Sequence, residues 1–84
     1  MSVEEKVTKL IEGIISDNKY ILDHVEYVKE DGTLFLRVVI DKKGIIDVED
    51  CVTVSKLINP ILDDVEYLQD NYILDVCSKE EGCV

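Results

Sequence analysis

The sequence predicts an α+β fold: a two-layer αββαβ domain in which a three-stranded sheet carries both helices on one face. Three observations lead there. Apolar residues recur at helical spacing in two segments and at every second position in three others, and the pair Asp31-Gly32 stands between two of the alternating runs. At 84 residues and 46% hydrophobic content the chain suffices for one small domain around one core. No internal repeat, low-complexity tract or linker divides it. The domain is read as residues 1–78, followed by an irregular tail at 79–84.

Val3, Val7, Leu10, Ile11 and Ile14 define the first helix, Val3 to Asp17, and Ser2 with Glu5 has the form of a capping box. Gly13 inside it costs about 1 kcal/mol relative to alanine. Asn18 is suited to end the helix in the left-handed conformation. Two β-type runs follow, Tyr20 to Glu30 and Thr33 to Asp41. Asp-Gly between them matches the twist of a tight hairpin. In the second run Leu34, Leu36, Val38 and Ile40 share one face, and Phe35, Arg37 and Val39 share the other. In the first, Ile21, Val25 and Tyr27 oppose Leu22, His24, Glu26 and Val28.

Asp47 is placed to cap a second helix. Its stripe of Val48, Cys51, Val52, Ser55, Ile58 and Leu62, widened by Val54, Leu57 and Ile61, implies deep burial. Pro60 lacks a backbone donor and is expected to kink or stop that helix. Residues 63–71 read as a polar connection, and Tyr72 to Ser78 as a third strand. With both helices on one face, the other face of the sheet is left uncovered. It would carry Leu22, Val28, Phe35, Val39 and Ile73 among His24, Glu26, Arg37 and Asp75, more apolar than solvation requires.

Nine basic against nineteen acidic residues give a net charge of −10. Such a surface repels phosphate backbones, argues against autonomous nucleic-acid binding and favours a cationic partner; solubility alone is the plain alternative. Met1 to Lys6 lead directly into an amphipathic pattern, so no signal peptide is expected. The apolar runs fall far short of the roughly 20 residues that span a bilayer. A cytoplasmic protein without a membrane role is the expectation.

Catalysis requires a nucleophile with its base, a metal constellation or a glycine loop for phosphate, and none is recognisable here. The expectation is no enzyme, no cofactor and no metal. His24 is the sole histidine and reads as a strand-surface side chain. Cys51, Cys77 and Cys83 form no CxxC pair and support neither a zinc site nor a disulfide framework. Cys51 reads as a core thiol and Cys83 as an exposed one. Glu49 with Asp50, and Asp63 with Asp64 and Glu66, lack the spacing of a calcium loop and read as solvated helix ends. Lys42 and Lys43, with Arg37 on the neighbouring strand, make the one basic cluster, either a contact for phosphate or an acidic peptide or simply turn lysines that keep a strand end soluble. Candidate partner-binding residues are therefore Phe35, Arg37, Val39, Lys42 and Lys43.

The run from Tyr20 to Leu62 resembles the amino-terminal domain of RimP-type ribosome maturation factors. The resemblance runs through Val25, Glu26 and Tyr27, then Leu36 to Val38 and Ile40 to Asp41, then Glu49, Asp50, Cys51, Val54, Ser55 and Lys56. It ends in Tyr72 to Ser78, similar to the family's Tyr-x-Leu-Glu-Val-Ser-Ser strand. His24 stands where the family usually has aspartate. Beyond Cys77 the sequence departs from the family's Ser-Pro-Gly-Leu-Asp-Arg-Pro-Leu segment, so the linker motif and the small β-barrel domain that follows it are expected to be missing. The resemblance implies a non-catalytic assembly factor domain that binds the maturing small ribosomal subunit through ribosomal protein and ribosomal RNA contacts. The alternative is a stand-alone module that self-associates through its open sheet face, as a homodimer.

Overall fold

The computed structural model describes residues 2–68, 71–79 and the backbone of 82–83. Its elements run α1 (Val3–Asp17), β1 (Ile21–Glu30), β2 (Thr33–Asp41), α2 (Val48–Asp63), β3 (Ile73–Ser78) and β4 (Gly82–Cys83). The sheet order is β1-β2-β3-β4: β1 lies antiparallel to β2, and β3 lies parallel to it because α2 crosses over between them. The expected αββαβ core is present. The tail read as irregular adds a two-residue strand antiparallel to the end of β3.

The local chemistry explains each boundary. The Ser2 hydroxyl accepts the Glu5 backbone N–H at the start of α1. At its far end the left-handed residue is Lys19 (φ 70°), not Asn18 (φ −99°). Tyr20 N–H donates to the Ile15 carbonyl and Lys19 N–H to that of Ser16, a Schellman closure that needs its left-handed residue one position later. Asn18 instead donates its side-chain amide to the Ile14 carbonyl. Asp31 and Gly32 both take positive φ, as the hairpin turn requires.

One face of the sheet meets both helices. Leu36, Val38 and Ile40 from β2, Val25 from β1 and Val76 from β3 are buried against Val7, Ile11 and Ile15 of α1 and Cys51, Val54, Ile58 and Leu62 of α2. Cys51 is the expected core thiol and is not in a disulfide. Three departures from the sequence reading have physical causes. The β1–β2 register slips between Leu22 and His24, so Asp23 is a bulge residue; the slip returns Leu22 to the core face opposite Ile40, away from the open face. Helix α2 continues past Pro60 to Asp63, because buried Ile58 and Leu62 hold its last turn against the core. The stretch after α2 is more than a polar link, since Val65, Tyr67 and Leu68 pack onto the core. So does Ile46, fully buried beside an 84% exposed Ile45.

A fourth concerns cysteine. Cys77 is disulfide-bonded, against the sequence expectation, and β3–β4 pairing sets it opposite Cys83. The hairpin that brings β4 back follows no periodic pattern, which is why sequence spacing alone missed it. The expected exposed thiol of Cys83 falls on a side chain outside the described residues.

The α2 amino terminus is clasped rather than solvated. Asp47 and Asp50 exchange backbone-to-carboxylate hydrogen bonds of 3.1 and 3.0 Å, a closed capping box. The Asp50 carboxylate also takes the Lys42 ammonium at 2.9 Å and the Tyr20 hydroxyl at 2.7 Å. These donors, Lys42 first, then the Asp47 N–H and Tyr20, hold the Asp50 carboxyl far below the usual carboxylate range. The reciprocal hydrogen bond, helped by burial and the Asp50 charge, pushes the Tyr20 phenol up to about 12 from 10.0. A raised folded pKa means that the bond stabilises the fold fully below pH 10.0 and loses that contribution as pH rises through about 12. Tyr20→Phe should therefore cost about 1 kcal/mol at neutral pH. In urea titrations the gap from wild type should close above pH 10.0; a gap that does not change with pH contradicts the assignment.

Candidate functional site

The face of the sheet away from the helices is built in rows, because paired residues of neighbouring strands project to the same side. Across β1, β2 and β3 the rows are Val28, Phe35 and Ile73; then Glu26, Arg37 and Asp75; then His24, Val39 and Cys77. An apolar row at one end thus borders a band of charge. Apart from Leu22, the side chains expected on this face from alternation are there.

Arg37 organises the band. Its Nη1 lies 3.3 Å from Glu30 Oε1 and 3.7 Å from Glu26 Oε2, and its guanidinium stands 5.6 Å over the Phe35 ring. Its Nε is enclosed and sits 3.5 Å from Asp75 Oδ2, close enough for charge attraction without a formed hydrogen bond. The cation therefore ties β1, β2 and β3 together on the side where no helix does so, and its ring contact carries the charged band into the apolar row.

The chain of charge continues along β1. His24 Nδ1 donates to Asp23 Oδ2 at 2.6 Å and Nε2 to Glu26 Oε1 at 3.1 Å, while Lys79 Nζ reaches Asp23 Oδ1 at 3.3 Å. Only the doubly protonated imidazole can donate from both nitrogens. The hydrogen bond to Asp23 raises the His24 pKa, burial opposes it, and Glu26 adds to the rise. Asp23 is lowered in return, first by His24 and then by Lys79. The bulge at Asp23 makes this arrangement possible by placing two consecutive side chains where they can meet.

Four carboxylates (Asp23, Glu26, Glu30, Asp75) stand here against two fixed cations (Arg37, Lys79). The network has a net charge of −2 with His24 neutral and −1 with it protonated. This face attracts cations even though its centre is an arginine.

Phe35, Arg37 and Val39 are thus neighbours on one surface. Lys42 and Lys43 do not join them. Lys42 turns to Asp50, and Lys43 is exposed in the connection beyond β2. The basic cluster suggested by the sequence is therefore dispersed, because carboxylates near in space claim Lys42 and Arg37 separately. The carboxylates responsible, Glu26, Glu30 and Asp75 for Arg37 and Asp50 for Lys42, lie far from their partners in sequence or across strands, where spacing does not reveal them.

Among the described residues no three or more His, Cys, Asp or Glu side chains are grouped to hold a metal ion. None of their helices is long and apolar enough to cross a membrane. The family model described as the RimP N-terminal domain matches residues 10–79, from within α1 to the residue after β3.

Because its folded pKa is raised, protonated His24 stabilises the fold below the ordinary imidazole value of 6.5, and this contribution is lost as pH rises through the higher folded value. Proton NMR of the single histidine should give a midpoint above 6.5, and Glu26→Gln should move it down. A midpoint at or below 6.5 would show that the two carboxylate contacts do not form in solution.

Proposed function

This chain belongs to the RimP N-terminal domain family, a family of ribosome maturation factors, and on that premise we propose that it is a non-catalytic binding module for the maturing small ribosomal subunit. The observation that carries the reading is the uncovered sheet face, where the apolar row of Val28, Phe35 and Ile73 adjoins a net-acidic network around Arg37. Such a surface fits a protein partner that brings apolar and cationic side chains together, which ribosomal proteins do. Phe35 and Val39 supply apolar contact, and Arg37 holds the acidic groups in place. A net charge of −10 disfavours broad RNA contact, so ribosomal RNA is met at most locally, at exposed Lys43. Lys42 acts through Asp50 as a positioning residue. The setting is the cytoplasm, where subunits mature; thiol buffers there keep most protein cysteines reduced, so the bond at Cys77 belongs to an oxidised form of the domain.

The apolar row also favours a second reading, self-association through the same face. The repulsion between two copies at −10 each works against it. Sedimentation velocity separates the two, since only the second requires a concentration-dependent dimer.

Co-sedimentation with immature small subunits tests the main reading. Wild type should be retained at low salt and released as salt screens the attraction. Phe35→Asp, folded by circular dichroism, should lower the retained fraction by at least about fivefold, as expected for loss of a central aromatic anchor. Absence of wild-type retention at low salt would overturn the proposal.

A further inference from the structure

The second surface of interest lies on the opposite side of β3. Of its residues, only Cys77 and Ser78 pair with β4 among the described residues, so the outer edge of Ile73–Val76 has no described strand beside it. Lys79 donates its N–H to the Ile40 carbonyl of β2. Backbone groups alternate sides along a strand, so Leu74 and Val76 direct theirs to the outer edge.

A cleft of ≈ 300 Å³ runs beside that edge, between it and α2. Its apolar end is formed by Val48 and Val52, which are 48% and 47% exposed despite lying in the helical stripe, together with Val76. At Ser55 it passes into a polar cleft of ≈ 340 Å³ bounded by Asn59, Asp63 and Tyr72. The breadth of the apolar stripe on α2 thus has a second explanation: part of it faces the core, and part faces this groove.

We propose that the groove binds an extended segment of a basic partner protein, which adds to the edge of β3 as a further strand. The outward backbone groups of Leu74 and Val76, which pair with no strand among the described residues, select an extended chain, since only a strand can meet them in register. Val48 and Val52 receive an apolar side chain, and a lysine or arginine a few residues along lies at Asp63. The net charge of −10 draws a basic segment to the domain as a whole, and the two clefts are lined by acidic Asp63 and Asp75 against one basic side chain, Lys56. This surface is separate from the open face, so the proposal goes beyond the subunit reading and shares with it only the sign of the partner's charge.

A short synthetic peptide of alternating lysine and valine, titrated into the ¹⁵N-labelled protein at low salt, tests it. Backbone amides from Ile73 to Val76 and at Val48, Val52 and Ser55 should shift. The double variant Val48→Ser/Val52→Ser, at two exposed positions, should bind about tenfold more weakly, as expected for losing a modest apolar contact. The same peptide N-methylated on alternate amides should lose the shifts at Leu74, Val76, Val48, Val52 and Ser55, whereas Phe35→Asp on the open face should leave those groove shifts unchanged. Shifts confined to the open face, equal binding by the N-methylated peptide, or equal binding by a glutamate–valine peptide would each overturn the proposal.

Discussion

The start of α2 is anchored where three donors converge on Asp50. One carboxylate takes the phenol that follows α1, the lysine that follows β2 and the backbone N–H that starts α2. Single exposed ion pairs contribute little, but here the ends of α1 and β2 and the start of α2 share one acceptor, and one of its contacts, the Asp47 N–H, is half of the capping box that starts the helix. The clasp fixes where α2 leaves the sheet. That in turn fixes the parallel register of β3 against β2, because α2 is the crossover between them.

Both candidate surfaces follow from that placement. With α1 and α2 on one face, the other must be stabilised without a helix, and Arg37 does this by drawing carboxylates from β1 and β3 to itself. The result is a face that is ordered yet still open to a partner. On the helical side, the same register sets α2 far enough along β3 to leave Val48 and Val52 exposed beside Val76 of β3. A two-layer domain this small has few buried residues to spare, so apolar side chains left outside are a clue to what it meets.

Much of this was legible in the sequence, for identifiable reasons. The hairpin was, because Asp31-Gly32 has few other uses between alternating runs. The core faces of β2 and α2 were, because periodicity survives wherever no irregularity intervenes. The bulge at Asp23 was not: a one-residue slip leaves the alternation on either side intact but reverses its sense, which put Leu22 on the wrong face. Pro60 does not end α2, since a missing donor in the last turn of a helix is offset when Ile58 and Leu62 are buried. The members of the candidate face were legible residue by residue, but their partners were not. The sequence shows that Arg37, Lys42 and His24 carry charge, while only the fold shows that Arg37 and His24 hold the open face together and that Lys42 serves the α2 clasp. The family resemblance rested on Glu49, Asp50 and the strand patterns, and Asp50 proves to have a structural reason for its place.

We place the proposed contact with the maturing subunit on the open face around Phe35 and Arg37. Site-specific photo-crosslinking tests it most directly, with a photoreactive phenylalanine at position 35 and, as control, at exposed Glu12 on α1. Crosslinks from position 35 to a basic protein of the immature small subunit, with none from position 12, are the expected result. Crosslinks from position 12 with none from position 35 would contradict it.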